Sequence, residues 1–213
     1  MEVKMKKNTG LLGLIFALTL LLGGCKTTKT AGKNTTGLTG GVLEFSDDFN
    51  RKSLGRHWSS KNPDAWQIKD GRLFVSKAHN KGLWLDRLLP PKARIEFDSQ
   101  AASPDVDIKC EVFNAKPQHQ TGYIVILGGW HNRLSIIARL REHGKDRLAT
   151  DRVGKQGKLY HWAIVRTGST LRWYLNGDLF MEYPDKNPLK GLYFGFNDWE
   201  APVYFDNLKI YRL

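Results

Sequence analysis

The chain of 213 residues has only two cysteines, Cys25 and Cys110. That is too few for the disulfide framework on which small secreted scaffolds depend. Apolar residues at helical spacing are nearly missing, which excludes a helix bundle and argues against an alternating α/β fold. No P-loop glycine run, no Gly-x-Ser-x-Gly elbow and no His-Glu-x-x-His pair occurs, although there are six histidines. The nucleotide, serine-hydrolase and zinc-protease chemistries carried by those motifs are therefore unsupported. The longest uncharged, predominantly apolar run is Leu11–Leu22. That run is shorter than the ~20 residues a membrane-spanning helix needs.

What is present begins with that run. Lys4, Lys6 and Lys7 precede it, and Leu22-Gly23-Gly24-Cys25 ends it. A basic n-region and an apolar h-region make a secretory signal. The terminal tetrad resembles the lipobox of bacterial lipoproteins, an aliphatic residue and two small residues before a cysteine. The resemblance implies cleavage after Gly24 and a thioether lipid, with further acylation such as palmitate, on Cys25. Two or more chains hold a protein firmly on a membrane. Residues 1–24 then read as a lipoprotein signal peptide. Lys26 rather than Asp follows the cysteine, which directs the expectation to the outer membrane or cell surface rather than the inner membrane.

Residues 25–41 comprise the cysteine and a Thr/Gly/Lys stretch with little to bury. A coil of that composition reaches roughly 20–25 Å. Residues 42–213 are enough for one domain with a sizeable core. The chain carries +12; removing three Lys and one Glu of the leader and three Lys of the tether leaves +7 for the domain. In an exported protein such charge points to envelope anions or to solubility, not to nucleic acid.

The domain is filled by short period-2 runs between turn signals, as all-β sandwiches and barrels are. Fourteen strands are expected: Leu43–Asp47, Trp66–Lys69, Arg72–Ser76, Gly82–Asp86, Ala93–Ser99, Val106–Phe113, Gly122–Leu127, Leu134–Arg141, Leu148–Val153, Tyr160–Thr167, Thr170–Leu175, Asp178–Tyr183, Lys190–Phe196 and Val203–Tyr211. Asp70-Gly71 and Asn176-Gly177 are two-residue hairpin signals, because both positions tolerate positive φ. So many strands need two packed sheets, and an antiparallel two-sheet jelly roll with little helix is the expected form. Cys110 alternates in phase with Val106, Ile108 and Val112 and reads as a buried small hydrophobe.

Several phrases resemble concanavalin A-like lectin/glucanase domains: Phe45-Ser46-Asp47-Asp48-Phe49 with Trp58, Trp66-Gln67-Ile68 before Asp70-Gly71, Trp173-Tyr174-Leu175-Asn176-Gly177, and Val203-Tyr204-Phe205-Asp206-Asn207-Leu208. Laminin-G-like modules and 3-keto-disaccharide hydrolase-like domains share this scaffold, so the resemblance implies the fold more than a chemistry. The acidic Glu-x-Asp-x-x-Glu triad of the superfamily's glucanases is absent, as is the Asn-Ser-Gly segment usual in the hydrolase-like family. Where first and last strands meet, such folds often hold a structural Ca²⁺. Asp47, or Asp48, and Asp206 occupy comparable places; no cofactor is otherwise implied.

Glu96/Asp98 and Asp105/Asp107 alternate on strand faces, ~6.5–7 Å apart along the chain, a spacing that permits glycosidase chemistry without implying it. The stronger candidate is the segment from Gly122 to Gly144. If Ile136, Ala138 and Leu140 face the core, Ser135, Ile137, Arg139 and Arg141 line an outer surface. With Tyr123, Trp130, His131, Glu142 and His143 they supply flat aromatic faces and polar donors for a saccharide. Trp58, Trp66 and Trp162 read as core; Trp84, Trp130, Trp173 and Trp199 lie beside polar residues and could stack on a sugar. Three functions remain open on the sequence. The first is an envelope lipoprotein whose jelly roll binds poly- or oligosaccharide. The second is a glycoside or keto-sugar hydrolase on the same fold, and the third a structural lipoprotein without a small ligand. A binding role is the leading expectation over an enzyme.

Overall fold

The computed structural model describes residues 37–213; the signal segment, Cys25 and the tether as far as residue 36 lie outside the described residues. Fifteen strands form two antiparallel sheets. In chain order they are β1 Val42–Asp47, β2 Trp58–Ser60, β3 Trp66–Lys69, β4 Arg72–Val75, β5 Leu83–Leu85, β6 Ala93–Ala101, β7 Ile108–Asn114 and β8 Tyr123–Gly128. They continue with β9 Leu134–Arg139, β10 Leu148–Thr150, β11 Leu159–Thr167, β12 Thr170–Leu175, β13 Asp178–Pro184, β14 Tyr193–Asn197 and β15 Val203–Arg212. The fourteen expected strands are all present. The three-residue β2, too short to show alternation, is the addition.

One sheet runs β13-β12-β11-β6-β15-β4-β3, with β1 also pairing β15. The first half of β15 pairs β4 and its second half pairs β1, with a register shift between Asp206 and Lys209 where Asn207 takes φ 53°. The other sheet runs β10-β9-β8-β7-β14-β5-β2. The architecture is thus an all-β, two-sheet antiparallel sandwich of jelly-roll type. Asp70-Gly71 and Asn176-Gly177 close the β3–β4 and β12–β13 hairpins with positive φ at both residues, as two-residue hairpin turns require.

Alternation explains the core. Ile95 and Phe97 of β6, Trp162 and Ile164 of β11, Cys110 and Val112 of β7, and Phe194 and Phe196 of β14 point between the sheets and are fully buried. Aromatic contacts run through this layer. Trp173 stacks on Trp162 at 4.5 Å, Trp162 on Phe97 at 5.1 Å and Phe196 on Phe205 at 4.2 Å. Each such pair is worth ~0.5–1.5 kcal/mol beyond the area it buries. Trp173 is therefore a core residue and not a stacking platform. Burial pushes the Cys110 thiol well above its ordinary range, which makes it inert.

The end of the tether is part of the folded surface. Arg94 donates to the Gly37 and Gly40 carbonyls at 3.1 and 2.8 Å. Leu38 packs with Leu213 on Ala163, Val165 and Tyr174, on the outer face of the β6 sheet.

Candidate functional site

On β7, the residues opposite the core are Lys109, Glu111 and, after a local twist at Phe113 (φ 57°), Asn114. An outward face normally meets water. Here Lys109 is 2 % exposed and Glu111 and Asn114 are 0 % exposed. A buried charge has to be paired and hydrogen-bonded, and the network is dense. Glu111 accepts from Asn197 Nδ2 at 2.6 Å, Asn114 Nδ2 at 2.9 Å and the Gln120 amide at 3.1 Å, and it pairs with His119 Nδ1 at 2.6 Å. Lys109 Nζ reaches Glu142 at 2.8 Å and Asn80 Oδ1 at 2.8 Å. His119 Nε2 lies 3.6 Å from the same Glu142 oxygen, so residues from two loops meet over the sheet.

Beside this network is a cleft of about 390 Å³, lined by Asn80, Asp105, Asp107, Lys109, Ile126, Gly129, Trp130, His131, Glu142, His143, Trp199, Glu200 and Ala201. Trp130 follows β8 and Trp199 follows β14, the two neighbours of β7. Their loops are therefore set about 10 Å apart, two strand spacings. Trp199 is 49 % exposed, and Trp130 is half-buried, edge-on to His143 at 5.5 Å and capped by Arg147 at 5.1 Å.

The backbone around the cleft is strained. Of the fifteen non-glycine residues with positive φ among those described, four line it: Asn80, Asp107, Trp130 and His131. Trp130, His131 and Asn132 form a left-handed turn between β8 and β9, a conformation costing ~1–2 kcal/mol per residue. Asn132 holds it by a pair of bonds with Gly154, 2.9 and 3.2 Å long. Strain of this kind concentrates where geometry serves a function.

The electrostatics are uneven. Burial drives the Asp107 carboxyl above its ordinary range, Lys109 opposes the rise, Glu142 adds to it, and the Trp199 amide donates to Asp107. Asp198, fully buried behind the cleft, is pushed up to about 7, chiefly by burial, with Asp107 adding to the rise. One of its oxygens accepts from the Ala78 amide at 3.1 Å, and the other has no hydrogen-bond partner. Lys109 is held above its ordinary range: burial alone would lower it, but Asp107 and Glu142 outweigh that cost.

Of the seven residues expected to contact a ligand, Trp130, His131, Glu142 and His143 come together in the cleft. Tyr123 and Arg139 do not. The face assignment of β9 is the reverse of the expectation: Ile137 joins Tyr123, Val125 and Leu127 between the sheets, while Ile136 and Ala138 join Ile124 and Ile126 on the other side. The Tyr123 hydroxyl donates to Asp185 at 2.7 Å, and Arg139 pairs with the same oxygen at 3.0 Å. Arg141 and His143 border a separate shallow depression with Lys145 and Asp146. Trp199, one of the tryptophans that could stack on a sugar, also lines the cleft, whereas Asn80, Lys109 and Asp198 have no signal in the sequence that marks them for the site.

The Glu96/Asp98 pair sits on the outer face of the other sheet, where Glu96 meets Arg94 at 2.6 Å and Asp98 meets His161 at 2.7 Å. Asp47 is engaged by Arg51, by Trp58 Nε1 at 2.8 Å and by the Phe49 amide at 2.9 Å. Its oxygens are thus committed to cationic and neutral donors rather than open to a cation. Asp206 accepts from the Asn207 amide at 2.8 Å. Among the described residues, no group of three or more His, Cys, Asp or Glu side chains is placed to hold a metal ion.

Residues 112–209, a little under half of the chain, match a family model described as farnesoic acid O-methyl transferase. That span leaves out Asn80, Asp107 and Lys109. No curated protein matches the chain by sequence. Among solved structures, a carbohydrate-binding module from Bacillus subtilis superposes with TM-score 0.62 at 16% identity, over 75% of this chain and 98% of that one. A laminarinase from Flavobacterium sp. UMI-01 gives 0.61 at 10% identity over 80% and 100%. A β-glucanase from Bacillus licheniformis gives 0.59 at 14% identity over 82% and 100%. At such identities the likeness is one of fold. It establishes the jelly-roll sandwich and leaves the chemistry to the residues of the cleft.

Proposed function

We propose that the domain binds carbohydrate in the cleft between Trp130 and Trp199. The observation that carries this reading is the pairing of two tryptophans, held on loops about 10 Å apart, with a floor of hydrogen-bonding groups from Asn80, Asp107, Lys109 and Glu142. Indole faces pack against the C–H face of a sugar, while carboxylate, amide and ammonium groups meet its hydroxyls. Similarity to carbohydrate-binding and glucan-hydrolysing jelly rolls supports the reading as analogy. Methyl transfer is not carried over, because the family match omits three of the four residues of the polar floor.

The test is a glycan array probed with the full-length chain, followed by Trp130→Ala and Arg139→Ala. Trp130→Ala is expected to reduce affinity at least tenfold with the fold intact. Arg139→Ala, which removes a partner of Asp185 and of the Asn187 carbonyl, both outside the cleft, should leave affinity unchanged. Equal binding by wild type and Trp130→Ala would refute this placement of the site.

A second reading is a glycoside or keto-sugar hydrolase. The specific observation favouring it is that burial holds Asp107, which lines the cleft, above the ordinary carboxylate range, as a general acid requires. Hydrolysis of array-positive glycans that disappears in Asp107→Asn would establish it, and binding without turnover would leave the lectin-like reading.

The anchor belongs to the same proposal: the chain is exported, cleaved after Gly24, lipidated on Cys25 and displayed at the outer membrane or cell surface. The tetrad Leu22-Gly23-Gly24-Cys25 supports it. Metabolic labelling with an alkynyl fatty acid should tag the wild type and not Cys25→Ser, and a soluble, unlabelled wild type would overturn it.

A further inference from the structure

We infer that the cleft recognises the end of a glycan and not a stretch within it; this rests on the carbohydrate reading above. The outer face of the β7 sheet would be an open groove across β5, β14, β7, β8 and β9 if its side chains met solvent. They do not. Two segments, residues 115–122 and residues 140–147, are folded onto it. The first is fastened through His119 and Gln120 to Glu111. The second is fastened through Glu142 to Lys109 and through His143 and Arg147 to Trp130. The segments approach each other at the 3.6 Å contact of His119 with Glu142.

Beneath them Glu111, Ile124, Ile136 and Ala138 are 0 % exposed. What stays open is the end of the sheet where β7 begins and β8 and β14 finish, between Asp107, Gly129 and Trp199. Glu142 walls that opening off from the covered face. Its volume is at the lower end of the ~300–1,000 Å³ typical of small-ligand pockets, room for roughly one or two sugar rings. A polymer lying along the sheet would have to displace a network whose buried charges cannot be left unpaired.

The lining also sets the kind of end. Asp105, Asp107, Glu142 and Glu200 line the cleft with Lys109, His131 and His143; Glu142 pairs Lys109, Asp105 lies 3.2 Å from His131 and Glu200 3.2 Å from His79, and the carboxyls still outnumber the donors. Acceptors in excess favour a terminal residue rich in hydroxyl donors and repel a uronate.

The experiment uses the full-length chain and ladders of one to eight residues of β-glucan, fructan, galactan, N-acetylglucosamine oligomers and, as the acidic series, oligogalacturonate. In a neutral series that binds, affinity should level off by two residues and vanish in Trp130→Ala. Cutting the parent polymer to a tenth of its length should raise binding per unit mass about tenfold, because ends rather than residues are counted. Affinity that climbs with each added residue to six or more, or binding per mass indifferent to chain length, would overturn end recognition while leaving the carbohydrate reading standing. Strongest binding in the acidic series would overturn the charge argument. Silence across every ladder would remove the carbohydrate reading itself.

Discussion

The outer face of the β6 sheet and the outer face of the β7 sheet both carry alternating charged residues, and they use them differently. On the first, Arg94–Glu96, His161–Asp98 and Arg172–Glu182 are pairs within or between neighbouring strands. Arg72 lies over Tyr204 at 4.1 Å; most of the charged side chains of this face reach water, and the part covered by Leu38 and Leu213 is where Arg94, Ala163, Val165 and Tyr174 are buried. On the second, Lys109, Glu111, Asn114 and Asn197 are dry and hold down two loops. Water reaches His161–Asp98 and Arg172–Glu182 and screens them, so these pairs contribute little. It is excluded from the second, where every partner is needed because an unpaired buried charge is costly. The same period-2 pattern thus makes a solvated surface on one side and a rigid frame around a cleft on the other.

The contrast can be broken most sharply at Glu111. Replacing it by Leu leaves the buried Asn197 and Gln120 donors without their carboxylate, removes the partner of His119 and leaves Asn114 only its bonds to Gln118 and Thr121, which loosens the 115–122 loop. A loss of about 3–5 kcal/mol is expected in urea unfolding, and a loss under 1 kcal/mol would mean that the network does not fasten the sheet face.

The next effect is one of pH. Asp198 is pushed up to about 7 in the folded protein. In the unfolded chain it titrates near the ordinary carboxylate value, about 4. The folded state therefore holds the proton more tightly. The contribution is fully present below pH ~4 and is lost as pH rises through ~7, on the order of 4 kcal/mol at most. Stability measured from pH 4 to pH 8 should fall in the wild type and fall less in Asp198→Asn. Parallel profiles would show that Asp198 does not carry the term.

The smallest effect should come from the solvated face. Glu182→Ala breaks an ion pair with Arg172 and should cost about 1 kcal/mol or less. A loss comparable to that of Glu111→Leu would erase the distinction between the faces.

Part of this was readable in the residues. The run Val106–Val112 alternates cleanly, which puts Cys110 inside in phase with Val106, Ile108 and Val112, as found. The β8–β9 hairpin was misread because Tyr123–Leu127 and Ile136–Ala138 are apolar on both sides. Period 2 then identifies two faces without saying which meets the core. The reason both are apolar is visible only in the structure: residues 140–147 and Trp130 close over the second face. Asn80, Asp198 and Trp199 lie in loops without periodicity or motif, and nothing local marks them as neighbours of Asp107.

By itself the sequence determined the β-sandwich, fourteen of its fifteen strands, its two Asx-Gly hairpins and the inert burial of Cys110. Each follows from side-chain alternation or from the φ preferences of a dipeptide, which act within a few residues. Only the tertiary structure decided which sheet face is covered, which four of the proposed ligand residues meet, and that the cleft is short and acidic inside a basic protein. Those properties come from loops far apart in the chain, joined by buried charges whose pairing depends on the whole fold.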